Sequence, residues 1–354
     1  MAIELRNVSL RVGAETHIYE TSLSLEPGQF NILLGTTLSG KTSMMRLMAG
    51  LEKPTTGELW AGSENVTGVP VQKRSVAMVY QAFINYPSFS VFDNIASPLK
   101  VAGLSSEAIK EKVHEFADML KLTPMLDRLP SELSGGQQQR TALARALVKG
   151  ADLVLLDEPL ANLDYKLREE LRDDLPKLFT DTGATVVYAT SEPLEALMLG
   201  GYTATLNEGR LVQFGNTSSV YRNPETLESA RVFSDPPVNT ALIEKRSDVA
   251  YLSESVNWNI PAKLASMPDG DYKIALRPHH LLPGSDSDGV NVDGEVQIAE
   301  ISGSESIVRV IIEGNNWVSE SHGIHAYEFG EKGSFFFDSS RCLYFDANEN
   351  LIEI

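Results

Sequence analysis

The sequence predicts an α/β domain followed by a smaller all-β domain, and three patterns along its 354 residues support this. Apolar and polar residues alternate over the first thirty residues, which is typical of antiparallel strands. Strand-like apolar runs then alternate with helical patterns through residues 30–200, as in a layered α/β core. After residue 240, short apolar runs are separated by Gly, Asp and Asn, a pattern typical of a small β-barrel.

The composition is that of an ordinary globular protein with a strong acidic bias. Hydrophobic residues make up 42% and charged residues 22%. The net charge is −18, of which −12 falls in residues 235–354. Such a field repels nucleic acid and anionic lipid, so we expect no nucleic-acid partner and a membrane attachment only through protein. The charged start of the chain and the single cysteine, Cys342, favour a cytoplasmic protein.

Individual elements can be assigned in order along the chain. A buried strand at residues 30–34 runs into a glycine-rich loop, and the helix that follows stops at Gly50. Residues 105–128 carry helical patterning, and Ser134 caps a helix that runs to about Val148. Residues 153–156 and 185–189 are short apolar runs that suit central parallel strands. We place the domains at residues 1–234 and 235–354, with a helical insert at about 84–133.

The glycine-rich loop fits the pattern GxxxxGK[ST]. It consists of Gly35, Thr36, Thr37, Leu38, Ser39, Gly40, Lys41 and Thr42. Glycines let backbone N–H groups turn toward phosphates, and the helix N-terminus adds positive potential. Lys41 would pair with the β- and γ-phosphates, and the Thr42 hydroxyl would bind Mg²⁺. The loop therefore predicts a Mg-ATP site; the alternative is a glycine turn that opens an ordinary helix.

A second apolar strand ends in two carboxylates, Asp157 and Glu158. A strand of this kind usually just reaches solvent, but a phosphate loop requires an acidic partner. Beside Mg²⁺, Asp157 would act in the metal shell and Glu158 would polarise the attacking water. We therefore predict Asp157 as a metal-site residue and Glu158 as a catalytic residue.

The segment Leu133–Arg140 reads Leu-Ser-Gly-Gly-Gln-Gln-Gln-Arg and ends 17 residues before Asp157. It resembles the signature motif of ATP-binding-cassette (ABC) ATPases, which contacts the γ-phosphate bound by the other subunit of a head-to-tail dimer. The resemblance therefore assigns contact with a partner's nucleotide to Ser134, Gly135, Gly136 and Gln137.

Other segments resemble the same family in the same order. Gln81 is similar to the Q-loop glutamine, a catalytic residue that senses Mg²⁺ and the attacking water, and Asp164 to the D-loop aspartate at the dimer interface. Residues 236–354 resemble the OB-like, TOBE-type regulatory domain of sugar and polyol importers. Four aromatic residues correspond to the family's groove for a permease helix, although a place in the local core is the alternative: Phe83, Tyr86, Phe89 and Phe92.

Two positions depart from the family pattern. Ser191 stands where the family has a catalytic switch histidine, and serine has neither the charge nor the reach of an imidazole. We therefore expect slow hydrolysis at the site built on this chain's own phosphate loop. The adenine-stacking aromatic residue of the family aligns with Val12, and the sequence leaves open whether Tyr19 or His17 replaces it.

The resemblance implies ATP and Mg²⁺ as cofactors and a membrane importer as the assembly. The short insert between Gln81 and Ser134 favours a transporter over a soluble repair or translation ATPase. The expected partners are two integral-membrane permease subunits, a periplasmic solute-binding protein and a second ATPase subunit. Because Ser191 accompanies an intact signature motif, the second ATPase subunit would be a different chain. The complex would lie on the cytoplasmic side of the inner membrane.

Four features together are similar to those of ATPase subunits of bacterial glycerol importers: the loop Gly35–Thr42, the segments Asn85–Ser88 and Asn94–Leu99, and the non-histidine switch residue Ser191. Glycerol is therefore the predicted solute within the small polyol or sugar class, with glycerol phosphate or another sugar as alternatives. A catalytically weak subunit that acts as a regulatory clamp is the alternative function.

Overall fold

The computed structural model describes residues 1–82, 84–161, 163, 165–180 and 182–352. The chain divides into two compact units, Met1–Ser218 and Ser219–Ile354. The boundary at residue 234 between the ATPase domain and the regulatory domain stays a prediction. No helix among these described residues is long and apolar enough to cross a membrane.

The first unit contains two sheets and the helices that cover them. Its strands are β1 (Ile3–Val12), β2 (Glu15–Ser24), β3 (Phe30–Leu34), β4 (Thr56–Ala61), β5 (Glu64–Asn65), β6 (Val76–Val79), β7 (Leu153–Asp157), β8 (Thr185–Thr190), β9 (Tyr202–Asn207) and β10 (Arg210–Asn216). Its helices are α1 (Lys41–Ala49), α2 (Val91–Val101), α3 (Ser106–Met119), α4 (Gly135–Leu147), α5 (Tyr165–Thr180) and α6 (Pro193–Leu199). Helix α7 (Thr217–Arg222) spans the division between the units.

The two sheets of the first unit confirm the predicted α/β architecture. The antiparallel sheet has the order β2-β1-β4-β5, and the six-stranded sheet has the order β10-β9-β3-β8-β7-β6. In the second sheet, β9, β3, β8, β7 and β6 are parallel, and only β10 pairs antiparallel. Parallel strands bring their carboxyl ends to one edge, where ligands of open α/β sheets bind. The phosphate loop and the Asp157 strand end therefore meet at that edge.

Helices α2 and α3 lie within the residues predicted as a helical insert, and α3 is shorter than its sequence pattern predicted. Ser134 is the N-cap of α4, and its hydroxyl accepts a hydrogen bond from the Gln137 N–H at 3.3 Å. Helix α3 ends at Met119 instead of continuing to residue 128. Lys121 has a positive φ of 55°, which an α-helix cannot continue through, and a short turn containing Pro124 follows. The helical pattern of residues 120–128 is therefore formed by turns.

The second unit is all-β apart from short helices, as predicted. After α8 (Leu227–Val232) come strands β11 (Asn239–Arg246), β12 (Val249–Tyr251), β13 (Asn257–Asn259), β14 (Gly270–Leu276), β15 (Leu282–Pro283), β16 (Val290–Ser302), β17 (Glu305–Ile312), β18 (Asn315–His322), β19 (Lys332–Phe337) and β20 (Leu343–Phe345). They form two five-stranded sheets, β13-β12-β11-β14-β20 and β15-β19-β16-β17-β18. One apolar core, which includes Ile274, Trp317 and Phe335, joins the two sheets. The OB-like, TOBE-type classification stays a prediction.

Candidate active site

The glycine-rich loop connects β3 to α1 as the sequence predicts. Gly40 has a φ of 102°, and a Cβ there would lie 2.8 Å from the Ile18 side chain, so only glycine fits. Lys41 is buried, and its Nζ donates hydrogen bonds to the carbonyls of Gly35 at 2.7 Å and Thr36 at 3.0 Å. The lysine ammonium is therefore fixed under the loop by the loop's own backbone.

The predicted catalytic and metal-site residues converge on this loop. The Thr42 hydroxyl donates to Asp157 at 3.0 Å, and Lys41 Nζ lies 3.3 Å from Glu158 Oε1. Gln81 Nε2 donates to Glu158 Oε2 at 2.8 Å. These contacts join residues that are up to 117 positions apart, because β6 and β7 end beside α1. The site thus contains a cation, an amide, a hydroxyl and two carboxylates in mutual contact.

Local backbone geometry and burial set the electrostatics of the two carboxylates. Glu158 has a positive φ of 45°, an uncommon conformation for a non-glycine residue that is found preferentially at functional sites. Burial raises the pKa of Asp157 above that of an ordinary aspartate, while the hydrogen bond from Thr42 opposes this shift. The neighbouring Glu158 carboxylate raises the pKa of Asp157 further, and Lys41 lowers it. The negative charge of the Asp157 carboxylate is therefore compensated only in part by the Thr42 hydrogen bond and by Lys41.

Asp157→Asn should raise the melting temperature of the nucleotide-free protein at pH 7 by a few degrees. Since the pKa of Asp157 is raised on folding, the folded chain binds that proton more tightly than the unfolded chain, so stability falls as pH rises through the raised pKa. Asparagine removes this penalty, and the difference should shrink as the pH falls and vanish below the unfolded-state pKa of about 3.9. Thermal unfolding of both proteins across this range tests it, with the exposed Asp173→Asn as control. An unchanged or lower melting temperature at pH 7 would contradict it.

A cleft of ≈ 680 Å³ opens over the loop. Its walls contain the loop residues Thr37–Thr42 together with Gln81 and Glu158. They also contain residues of β2 and of the β9–β10 turn: Glu15, Thr16, His17, Tyr19, Glu208 and Gly209. Of these, the sequence named only His17 and Tyr19, as open alternatives for contact with adenine. The alternation of β2 indicated which of its residues face outward, but not what they face.

The remaining predicted residues lie at the margins of this cleft or elsewhere. Ser191 follows Thr190, whose carbonyl accepts a hydrogen bond from the Gly35 N–H at 3.3 Å, so it stands beside the start of the loop. Residues 134–137 do not line the cleft; they form the amino-terminal turn of α4, in which Ser134 and Gly135 are exposed. Asp164 lies outside the described residues.

A second groove of ≈ 680 Å³ lies beside α2 and α4. Tyr86 and Phe89 line it with half-exposed rings 5.3 Å apart, whereas Phe92 packs against His114. Phe83 lies outside the described residues. Two residues to which the sequence assigned no structural role shape the groove. The buried Asn94 amide holds the backbone of residues 86–90, and Arg145 donates to the Ile84 carbonyl and packs over the Tyr86 ring.

The fold and the converging residues define a phosphate-loop α/β protein, and comparison with known proteins identifies its family. The family model described as ABC transporter matches residues 18–161. The trehalose/maltose import ATP-binding protein MalK of Thermococcus litoralis is 35% identical over 353 residues, with 94% of each chain covered. The maltose/maltodextrin import ATP-binding protein MalK of Escherichia coli K12 is 32% identical over 355 residues, covering 97% of this chain and 95% of that protein. The chain therefore belongs to the ABC transporter family, as one of its ATPases.

The structural comparison agrees with this assignment. The dimeric structure of a bacterial ABC transporter cassette superposes with a TM-score of 0.56 at 28% sequence identity. The match covers 61% of this chain and 98% of that cassette. The family assignment supports ATP binding and the predicted ABC ATPase fold.

Proposed function

We propose that this protein is the ATP-binding subunit of an importer and that it couples ATP binding and hydrolysis to uptake of a small polyol or sugar. The observation that carries the proposal is the convergence of Lys41, Thr42, Gln81, Asp157 and Glu158 beneath one cleft. Its support from known proteins is the family assignment and two relatives whose names describe import ATP-binding proteins.

In this proposal, Lys41 and Glu158 change partners when ATP binds. The Lys41 ammonium now lies 3.3 Å from Glu158, and phosphate oxygens would take over as its counter-charge. Glu158, still held by Gln81 at 2.8 Å, could then accept a proton from a water molecule. The water oxygen attacks the γ-phosphorus, the bond to the β–γ bridging oxygen breaks, and ADP and phosphate form. Glu158 thus acts as the general base, and Gln81 positions it.

The residues of the site also fit the predicted Mg²⁺. The Thr42 hydroxyl and the Asp157 carboxylate are adjacent oxygen donors, the type that Mg²⁺ prefers, and Gln81 would add an amide oxygen. No group of three or more His, Cys, Asp or Glu side chains able to hold a metal occurs among the described residues. This suits a metal that arrives with the nucleotide, since Mg²⁺ usually takes phosphate and water as further ligands. When bound, it would offset the charge of the β- and γ-phosphates.

We propose a second, different ATPase chain as partner. Ser134 uses its oxygen to cap α4, so its hydroxyl hydrogen can still be donated to a phosphate bound by another subunit. Residues 134–137 would then complete a site on that subunit. Ser191 would leave this chain's own site slow. A related cassette has been solved as a dimer, which supports pairing but not the difference between the chains.

The groove beside α2 and α4 fits a permease helix. Half-exposed apolar and aromatic surface of this kind is typical of sites that receive an amphipathic helix. The permeases would hold the protein at the cytoplasmic side of the inner membrane, and a periplasmic solute-binding protein would act through them. For the solute we propose glycerol, from the motif resemblance. The names of the relatives make maltose or trehalose the second candidate.

Reconstitution of the complete transporter in lipid vesicles tests the proposal. ATP hydrolysis should rise when glycerol and the solute-binding protein are added, and Phe89→Asp should abolish this rise and the co-purification of the permeases. Phe89→Asp should leave ATP binding intact, because Phe89 lies in the groove and not in the cleft. The exposed Phe329→Asp in the second unit is the matched control.

Each outcome of the reconstitution separates two hypotheses. Stimulation by maltose or trehalose instead of glycerol would correct the solute alone, and stimulation by glycerol phosphate would do the same. Binding of ATP without any solute-dependent hydrolysis would favour the regulatory clamp. Absence of permeases from the purified complex would overturn the importer.

A further inference from the structure

Glu195 is a buried carboxyl that does not line the cleft. It belongs to the first turn of α6, and only 4% of its accessible surface is exposed. Its Oε2 atom accepts hydrogen bonds from the Tyr188 hydroxyl at 3.0 Å and from the Thr190 hydroxyl at 2.6 Å. Tyr188 and Thr190 are two residues apart on β8, so their side chains share one face of the strand. The carboxyl therefore joins the end of β8 to the helix that follows Ser191.

The position of this carboxyl is costly for stability. Burial raises the pKa of Glu195, although the hydrogen bonds from Thr190 and Tyr188 oppose the rise. The neighbouring Glu192 carboxylate raises the pKa of Glu195 further. An apolar side chain could fill the same space without this cost. Carboxyls in such surroundings are concentrated at functional sites, which favours a role for Glu195 beyond packing.

The hydrogen bonds of the Thr190 side chain enclose Ser191. The Thr190 hydroxyl donates to Glu195 and accepts from the Glu192 N–H at 3.0 Å. The residues immediately before and after Ser191 are therefore bonded to each other through one hydroxyl. Glu195 sets the direction of that hydroxyl, because donation to the carboxylate leaves an oxygen lone pair for the Glu192 N–H. Without this acceptor the hydroxyl could rotate, and the turn at Ser191 would lose a restraint.

The phosphate loop is held to the same strand by backbone contacts. The Gly35 N–H donates to the Thr190 carbonyl at 3.3 Å, and Leu34 pairs with Thr190 in the parallel sheet. Both contacts use backbone atoms, so we expect them to persist when the side chain of Thr190 or Glu195 is changed. They place Ser191 beside the loop, whereas Glu195 and the Thr190 hydroxyl set the direction of the Ser191 side chain.

We propose that Glu195 is a positioning residue for ATP hydrolysis, because through the Thr190 hydroxyl it holds Ser191 toward the reacting phosphate. This inference rests on the proposed function and adds a residue that acts on turnover rather than on ATP binding. Glu195→Met removes the acceptor and keeps the length of the side chain, whereas Glu195→Gln keeps an acceptor oxygen. Thr190→Val removes the same hydrogen bond at its donor and keeps the shape of the side chain.

Single-turnover hydrolysis in the reconstituted transporter tests the proposal, with the proposed second ATPase chain disabled. Glu195→Met and Thr190→Val should each lower the hydrolysis rate by about tenfold, the loss expected for one hydrogen bond to the reacting phosphate. The double variant should lose no more than the larger single loss, because both changes break one hydrogen-bonded unit. Glu195→Gln should restore most of the rate. ATP affinity, titrated on the full-length protein, should stay at the wild-type value in every variant.

Thr203→Val is the matched control for the loss of a buried hydroxyl. Thr203 is fully buried in β9 of the same sheet, and its hydroxyl is hydrogen-bonded to that of Thr217 at 2.9 Å. This variant should lower the melting temperature and leave the hydrolysis rate unchanged. If it slows hydrolysis as much as Thr190→Val does, general destabilisation explains both losses and the proposal is wrong.

The other outcomes also decide the matter. Wild-type hydrolysis in Glu195→Met and Thr190→Val, or additive losses in the double variant, would overturn the proposal. So would equal losses in Glu195→Met and Glu195→Gln, or a fall in ATP affinity as large as the fall in rate. If Glu195→Met does not fold, Thr190→Val carries the same test. Each of these results leaves the activity of the wild type in place, whereas a wild type that neither binds nor hydrolyses ATP would refute the proposed function itself.

Discussion

Glu158→Gln should lower ATP hydrolysis at this chain's site by about 10²- to 10⁴-fold while ATP binding is retained, the effect expected when a general base is removed. Glutamine keeps the size of the side chain and its contact with Gln81 but cannot accept a proton from water. It also removes a negative charge that lies 3.3 Å from Lys41, so the lysine becomes a stronger partner for phosphate. ATP affinity should therefore rise while turnover falls.

The measurement is single-turnover hydrolysis in the assembled transporter, with the proposed second ATPase chain disabled at its own catalytic carboxylate. Under that condition only the site built on this chain's phosphate loop contributes. Glu64→Gln, at an exposed carboxylate on β5, is the control for loss of one negative charge. Hydrolysis at the wild-type rate in Glu158→Gln would show that another group is the base. A loss of ATP binding would show that Glu158 holds the loop rather than the water.

The position of the phosphate loop and of its acidic neighbours could be predicted from the sequence, because each lies in a local motif; their catalytic roles stay predictions. The loop and the start of α1 occupy consecutive residues, and the Asp157–Glu158 pair marks the end of an unambiguous apolar strand. A phosphate loop requires an acidic partner, so the contact between Thr42 and Asp157 could be anticipated across 115 residues. Ser134 and Gln137, which form the capping box of α4, are only three residues apart, so this contact is also local.

The contacts that fix Tyr19 and the groove residues could not be predicted, because they join distant segments without a motif. Tyr19 meets Gly209 only because β9 lies next to β3 in the parallel sheet and β10 turns back over β2. Arg145 reads as one more polar residue of α4, yet it reaches the backbone of Ile84 and the ring of Tyr86. Periodicity indicates which face a side chain occupies. It does not predict which residue of a distant strand or helix contacts that face.

The backbone at Ser191 is fixed on both sides, which makes this position suitable for introducing a histidine. Before it, the Thr190 carbonyl accepts from the Gly35 N–H at 3.3 Å, and the Thr190 hydroxyl donates to the buried Glu195 at 2.6 Å. After it, Glu192 is paired with Arg168 at 2.6 Å. A larger side chain at position 191 is exposed and so needs no repacking of the core. It would start directly beside the first residue of the phosphate loop.

Ser191→His should therefore raise single-turnover hydrolysis at this site by about 10- to 100-fold, the gain expected from one added electrostatic contact to the reacting phosphate. Because an imidazole has an ordinary pKa near 6.5, a gain that depends on its positive charge should grow as pH falls from about 8 to 6. Ser191→Asn is the matched control, since it adds length and hydrogen bonding without a titratable charge. An equal gain in hydrolysis rate in both variants would assign the effect to the length of the side chain alone. If neither variant accelerates hydrolysis while Glu158→Gln abolishes it, Ser191 does not limit the rate, and the argument for an unequal pair of ATPase chains loses its basis.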